Sequence, residues 1–259
     1  MPIGLPNTIE KNLSRFFPHL PDTLVTAISR CYQLYSKKHV NFVTWFRFGR
    51  KYDSPIEPFC LYSVAPTDIT SIPSRKFGTT WECSIKGGGW DKKLKDFVDV
   101  STVFRSFQER FENDVDWEDT ELHSYAIEIV RSGETWKTCE SEDEIIDRLH
   151  SYDELYNQLK REGYKTQRQL RSETSSSDPL RDKRHHPPEF SEITIDIGRD
   201  GELIWYSGIH RLSIARILEL DSVPVRIRVR HEKWQRYRDE VWNDPSMDAS
   251  WHPDLQHPD

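Results

Sequence analysis

The sequence predicts an α/β fold whose mixed sheet is built mainly from the last third of the chain. Isoleucines in the segment 193–197 alternate with polar residues, which is typical of a strand with one buried face. An Asp-Gly pair at 200–201 separates this run from the apolar run 203–206 and indicates a hairpin, because both residues tolerate positive φ. A helix over 210–220 and a strand over 223–229 follow.

The elements before this unit are less regular. Helical spacing of apolar residues begins at Asp22 and predicts a first helix, followed over 39–67 by an aromatic segment without a steady period that we interpret as short strands and loops. Alternation over 68–72 predicts a short strand. Three adjacent glycines at 87–89 predict a loop. Residues 1–59 are therefore an N-terminal helical or irregular segment.

The middle of the chain is predominantly helical. Apolar stripes at helical spacing predict a helical insertion over 99–165, which ends near Gly163. Residues 166–191 are polar and rich in Ser, Pro and charge, so we expect a flexible linker there. The α/β domain should then span 60–242, and residues 243–259 should form a C-terminal tail.

Composition restricts the function classes. The 36 Lys and Arg residues against 43 Asp and Glu give a net charge of -7, which disfavours nucleic-acid binding over the whole surface. The first residues lack a basic region followed by an apolar run, so we expect a cytoplasmic protein without membrane association. The four cysteines are widely separated, which predicts isolated thiols and no metal site.

The junction between the second strand of the hairpin and the next helix is the candidate site. Ser207 and Gly208 precede the helix, and a glycine there exposes N–H groups that carry the positive end of the helix dipole. His210 and Arg211 fall in the first helical turn, where positive charge opposes that dipole. Such a helix start can bind an anion. The alternative is that Arg211 pairs with an acidic side chain of the helical middle of the chain and His210 packs on an aromatic ring.

The segment 193–231 resembles the ParB/sulfiredoxin-like superfamily. It contains the run Ile-Asp-Ile-Gly-Arg-Asp-Gly at 195–201, a Gly-x-His-Arg sequence at 208–211 and a Val-Pro-Val strand at 223–225, in the order of that family. The resemblance implies a ParB/sulfiredoxin-like mixed sheet in which Gly208, His210 and Arg211 contact the phosphates of a nucleotide.

What the resemblance implies for activity is phosphoryl transfer from ATP or another nucleotide, with Mg²⁺, to a small hydroxyl-bearing molecule. Asp91 would receive the proton of the acceptor, and Trp90 could stack on the base. The chain departs from sulfiredoxins at Ile209, which stands where they carry the reactive cysteine and offers no thiolate. It departs from the free-serine kinases at Ser207, where they carry an acidic residue. The alternatives are a non-catalytic nucleotide-sensing or interaction module and a nucleic-acid-binding or nuclease ParB-like protein.

Three further groups have structural interpretations. Arg226, Arg228 and Arg230 form one strand face that could reach phosphates, although a solvated face paired with acids is the preferred interpretation. The run 117–121 should cap a helix rather than catalyse. The two histidines at 185–186 have no cysteines nearby, so they should not hold a metal.

Overall fold

The structure is a computed structural model that describes residues 22–73, 83–173 and 187–256. It confirms the α/β class, with a mixed sheet of seven strands and eight α-helices in this part of the chain. The strands are β1 (Leu61–Val64), β2 (Ser71–Pro73), β3 (Ser84–Lys86), β4 (Leu94–Asp96), β5 (Ile193–Ile197), β6 (Leu203–Ser207) and β7 (Val223–His231). The helices are α1 (Asp22–Thr44), α2 (Phe97–Val100), α3 (Thr102–Asn113), α4 (Glu121–Arg131), α5 (Glu142–Glu162), α6 (Gln167–Ser172), α7 (Ile209–Ile217) and α8 (Glu232–Asn243).

The sheet places β5 at its centre. The strand order is β1-β7-β5-β6-β2-β4, and β3 also pairs with β7. Strand β5 is antiparallel to β6, which confirms the predicted hairpin, and it is parallel to β7, which the chain reaches from β6 through α7. Along the chain, α7 lies between β6 and β7 and begins directly after Ser207 and Gly208.

Both faces of β5 are buried, which differs from the expected single buried face. Thr194 and Asp196 are buried together with the three isoleucines. Asp196 is buried because the Nε atom of Arg228 donates a hydrogen bond to its Oδ1 at 2.9 Å from the neighbouring strand β7. Burying a paired carboxylate avoids the large cost of an isolated charge.

The arginine face of β7 is buried rather than solvated, so the preferred interpretation of that strand is wrong. Arg226 donates to the carbonyl of Pro58 at 3.0 Å, Arg228 pairs with Asp196, and Arg230 pairs with Asp254 at 2.8 Å. The expected pairing with acids holds for Arg228 and Arg230. None of the three guanidinium groups lies on an open surface, because all three arginines are less than 5% exposed.

Two predicted boundaries change in the structure. The first helix continues through Thr44 and then becomes a π-helical turn over Trp45–Gly49, so the segment from His39 is helical rather than extended. The predicted strand at 68–72 begins later, because Pro66–Asp68 forms a 3-10 turn before β2.

The expected linker and tail both contribute to the folded core. In the segment 166–191, α6 buries Gln167 and the 3-10 turn Pro188–Ser191 buries Glu189; residues 174–186, including the histidine pair at 185–186, lie outside the described residues. After residue 242, Asp254 is buried as the partner of Arg230 and Trp234. A buried charged partner cannot belong to a loose tail, so the domain extends to that residue.

The inserted helices pack on the motif helix. Helices α3, α4 and α5 enclose a second apolar core that includes Phe107, Trp117 and Tyr152 and reaches Ile214 of α7. The run 117–121 caps α4 as expected, since the Thr120 hydroxyl accepts the His123 N–H at 3.3 Å. In the part of the chain that the structure describes, no helix is both long and apolar enough to cross a membrane.

Candidate anion-binding site

Gly208 links β6 to α7 in a conformation that only glycine adopts readily. Its φ of 86° is in the left-handed region, and a Cβ there would lie 2.9 Å from the Cα of Ile193. Close packing on β5 therefore requires glycine at this position. No side chain of the described residues caps the N terminus of α7, so the dipole of this helix is not offset by a capping group.

Arg211 points away from the helix start and into the protein. It is 8% exposed, and its Nη1 donates to the carbonyl of Ser191 at 2.8 Å. With the Gln167 amide in its hydrogen-bonded orientation, the Gln167 oxygen accepts from Nη2 of Arg211 at 2.8 Å. The charge of Arg211 also acts on the buried carboxyl of Glu192. The structure thus places Arg211 in a buried polar network with Ser191, Gln167 and Glu192, and not, among the described residues, with an acid of the helical middle of the chain.

Asp91 and Trp90 lie at the other end of the sheet from Gly208. Asp91 accepts hydrogen bonds at 2.8 Å from both the backbone N–H and the Nε of Arg199, which directly follows the end of β5, whereas Gly208 packs on Ile193 at its start. Strand β5 has five residues, so the two ends are roughly 16 Å apart. The expectation that Asp91 borders the phosphate site does not match this placement.

The environment of Asp91 is that of a structural ion pair. Burial raises its pKa, but the hydrogen bonds from Arg199 outweigh burial and lower the pKa to about 2. Trp90 donates from its Nε1 to the carbonyl of Lys86 at 3.2 Å and packs near the His231 ring. Asp91 joins the glycine loop to the hairpin, and Trp90 packs near the end of β7.

His210 instead meets the inserted helices. Its ring stacks on Tyr152 with centroids 4.5 Å apart and a 16° interplanar angle, and Phe107 lies 6.0 Å away on α3. Nε2 of His210 lies 2.5 Å from Nζ of Lys137. Burial, followed by the charges of Lys137, Arg148 and Arg211, holds the pKa of His210 well below its usual value of 6.5. The imidazole is therefore neutral at pH 7.

Lys137 reaches His210 from a strained two-residue turn between α4 and α5. Trp136 and Cys139 exchange backbone hydrogen bonds of 3.1 and 2.8 Å, and the two residues between them have φ values of 48° at Lys137 and 75° at Thr138. Left-handed conformations are costly for residues other than glycine, and such strain is concentrated at functional sites. The turn is exposed, but the ammonium lies 5.2 Å from the Trp136 ring centroid.

Arg148 on α5 adds a second positive charge beside Lys137. Burial of the ammonium, followed by the charge of Arg148, lowers the pKa of Lys137 to about 8. A hydrogen bond and the charge of Arg148 oppose the rise in pKa that burial causes at Tyr152, so the guanidinium lies beside that hydroxyl. Nε of Arg148 is buried without a hydrogen-bond partner among the described residues.

The cluster of Lys137, Arg148, Tyr152 and His210 has the properties of an anion site. Across residues 22–73, 83–173 and 187–256, no carboxylate forms an ion pair with Lys137 or Arg148. Two neighbouring cations without a counter-charge destabilise each other, and a bound anion would remove that cost. The donors present are an ammonium, a guanidinium N–H and a phenol.

Sequence reasoning predicted only His210 of these four residues. One signal was available for Lys137, because it is the only basic residue between Arg131 and Arg148, among six acidic residues. The local sequence does not show that the Lys137 ammonium lies away from these six carboxylates and reaches α7. The position of the ammonium depends on how α4 and α5 pack.

Comparison with protein-family models, with curated proteins and with solved structures finds no match to this chain. A function for this chain therefore depends mainly on the geometry of the cluster.

Proposed function

We propose that the protein binds the phosphate groups of a nucleotide at the cluster of Lys137, Arg148, Tyr152 and His210. The observation that carries the proposal is the approach of two cations without a described counter-charge to the first turn of α7. A phosphate there would accept hydrogen bonds from Lys137 and Arg148 and would lie near the positive end of the helix dipole. The resemblance of residues 208–211 to the Gly-x-His-Arg sequence of nucleotide-binding ParB/sulfiredoxin-like proteins supports the same ligand class.

In this proposal, Mg²⁺ would bind together with the nucleotide. In the described part of the chain, no group of three or more His, Cys, Asp or Glu side chains could hold a metal ion. A divalent cation would therefore coordinate mainly to the phosphate oxygens of its ligand, as in other nucleotide sites where the metal bridges phosphates.

Transfer of a phosphoryl group to a small hydroxyl-bearing molecule is the second candidate, and the neutral imidazole of His210 favours it. A neutral imidazole can accept a proton or attack an electrophile, whereas an imidazolium cannot. Asp91 is not used in this role, because Arg199 holds it at the far end of β5. The nuclease alternative loses the support of the β7 arginines, which are buried.

Thermal unfolding in the presence of ligands tests the binding proposal. The full chain should be stabilised by at least one of ATP, GTP or CTP, with and without Mg²⁺, because a ligand that binds only the folded state raises its stability. Loss of that shift in Lys137→Met, with the shift retained in Lys160→Met, would support the site. Lys160 is a suitable control because it is an exposed lysine whose Nζ also lies over an aromatic ring, 5.5 Å from the Tyr156 centroid.

A covalent probe gives an independent test. Pyridoxal phosphate carries an aldehyde and a phosphate, so it should form an imine with Lys137 in preference to the fully protonated surface lysines. Reduction with borohydride and then peptide mass spectrometry locates the label, and the stabilising nucleotide should protect Lys137. Uniform labelling of exposed lysines, with no protection and no thermal shift, would contradict the proposal.

A further inference from the structure

His210 presents a lone pair at its Nε2 atom. Nε2 lies 2.5 Å from the Lys137 ammonium, which has hydrogens to donate and no lone pair to accept with. The ring therefore accepts at Nε2 and carries its own proton on Nδ1.

Two other histidines, His231 and His252, differ from His210 in the group that their Nε2 atom faces. Nε2 of His231 lies 3.0 Å from the carbonyl of Gly88, and its Nδ1 accepts the N–H of Lys233. Nε2 of His252 likewise lies 3.0 Å from the carbonyl of Gly201. A ring nitrogen facing a carbonyl must donate, so both Nε2 atoms carry a proton and offer no nucleophile.

The position of Nε2 is fixed by packing. Tyr152 stacks on one face of the His210 ring, Phe107 packs near it, and the backbone of His210 belongs to the first turn of α7. A nucleophile held in one orientation avoids the entropy cost of aligning it with the reacting atom.

The surroundings would stabilise a negative group on Nε2. Lys137 already lies at hydrogen-bond distance, Arg148 has a buried Nε without a described partner, and the Tyr152 hydroxyl lies beside that guanidinium. The dipole of α7 opposes an imidazolium in its first turn but favours an anionic group there. Each of these groups would therefore interact better with a phosphorylated His210 than with a protonated one.

We propose that His210 accepts a phosphoryl group on Nε2 from a nucleoside triphosphate, so that the chain forms a phosphohistidine. The proposal rests on the nucleotide binding proposed above. The Nε2 lone pair forms a bond to the terminal phosphorus while the bond from that phosphorus to the bridging oxygen breaks, and the nucleoside diphosphate leaves with the electron pair. Lys137 moves from Nε2 to the phosphoryl oxygens. The hydroxyl oxygen of water or of an acceptor then forms a bond to the phosphorus, the N–P bond breaks with its pair returning to Nε2, and the hydroxyl proton passes to solvent.

Incubation of the full chain with ATP, GTP or CTP labelled at the γ-phosphate, with Mg²⁺, tests this step. Phosphohistidine is labile to acid and stable to base, unlike phosphoserine, so the expected label survives alkaline treatment and is lost in acid. Mass spectrometry at neutral pH should locate the phosphate on His210 of the unaltered protein. The label should fall to background in His210→Gln and persist in His150→Gln, a control on an exposed histidine of α5.

Two measurements keep the result unambiguous. Phosphoramidate, a small phosphoryl donor without a nucleoside, should phosphorylate His210 faster than the other histidines, which tests the nucleophile without nucleotide binding. If a nucleotide raises the melting temperature but neither donor labels His210 of the unaltered protein, the phosphohistidine proposal is overturned and nucleotide binding stands. If no nucleotide shifts the melting temperature and phosphoramidate labels His210 no faster than other histidines, both proposals are wrong.

Discussion

Replacing Lys137 with methionine separates ligand binding from folding. Methionine keeps an unbranched stem that can pack on Trp136 and Tyr152, and the change removes only the ammonium. Because no described carboxylate pairs with Lys137, the variant loses no ion pair. It loses the hydrogen bond to Nε2 of His210 and also the repulsion from Arg148 that lowers the pKa of the amine, and these two effects have opposite signs. We therefore expect the free energy of unfolding without ligand to change by less than about 1.5 kcal/mol.

The expected loss of affinity comes from the hydrogen bond that the ammonium would donate to a phosphate. A hydrogen bond to a charged group contributes about 1.5–3 kcal/mol, which weakens binding about 10- to 150-fold when it is removed. A nucleotide at about 100 times its Kd stabilises the native protein by about 2.7 kcal/mol. If the Kd rises about 100-fold, the same concentration stabilises the variant by only about 0.4 kcal/mol.

Calorimetric titration and thermal unfolding of Lys137→Met and Lys160→Met measure both quantities. A Lys137→Met protein that binds nucleotide as tightly as the unaltered chain would refute the role of the ammonium in binding. Much easier unfolding of Lys137→Met without ligand would also refute it, because the ammonium would then be a structural group.

Four further predictions concern groups other than the ammonium. Arg211→Met should lower the free energy of unfolding by about 3–5 kcal/mol in urea titration, because it removes one partner from a buried charged network, and a loss below about 1 kcal/mol would contradict that role. Burial raises the pKa of Glu192 to about 7. The stability that protonated Glu192 contributes is therefore complete below its usual pKa of 4.5, and about 3 kcal/mol of it is lost as pH rises through 7. The free energy of unfolding of the native protein relative to Glu192→Gln should fall over this pH range, and a constant difference would exclude the effect. The pKa of Asp91 is lowered, so its effect on stability has the opposite pH dependence. Asp91→Asn should be destabilising above pH 3.8 and less destabilising as pH falls towards 2. Nucleotide affinity measured by calorimetry should not change in this variant. Thr138→Gly should raise the melting temperature, since glycine adopts φ of 75° without strain, whereas an unchanged or lower value would show that the turn stores no energy.

The central elements of the fold could be predicted because local and tertiary preferences agree there. The alternating isoleucines of β5, the turn at Gly201 and the apolar pattern of β7 indicate the same strands and hairpin that the sheet contains. Gly208 could also be placed correctly at the start of α7. Its requirement for glycine comes from contact with Ile193, a residue fifteen positions earlier that a local pattern cannot bring into view.

Sequence-based predictions fail where a polar residue pairs with a partner that is distant in the sequence. Arg230 reads as an exposed strand residue until Asp254, in what was expected to be a tail, pairs with it inside the core. Asp91 reads as a candidate base until Arg199 occupies both of its oxygens. In each case the sequence contains both partners, but only the folded sheet brings them to within hydrogen-bond distance.

The turn at Lys137 shows why the candidate site depends on the helical insertion. Two-residue turns with left-handed φ at both central positions prefer Asn-Gly, and Lys-Thr costs about 1–2 kcal/mol for each such residue. The turn persists because buried Trp136 and Cys139 fix both of its ends between α4 and α5. A tail or loop of the same sequence would relax and return the ammonium to solvent and to the neighbouring acids. The packing of α4 and α5 thus holds Lys137 against His210. The backbone strain of the turn lowers the stability of the protein, and its presence beside His210 is the physical argument for a ligand there.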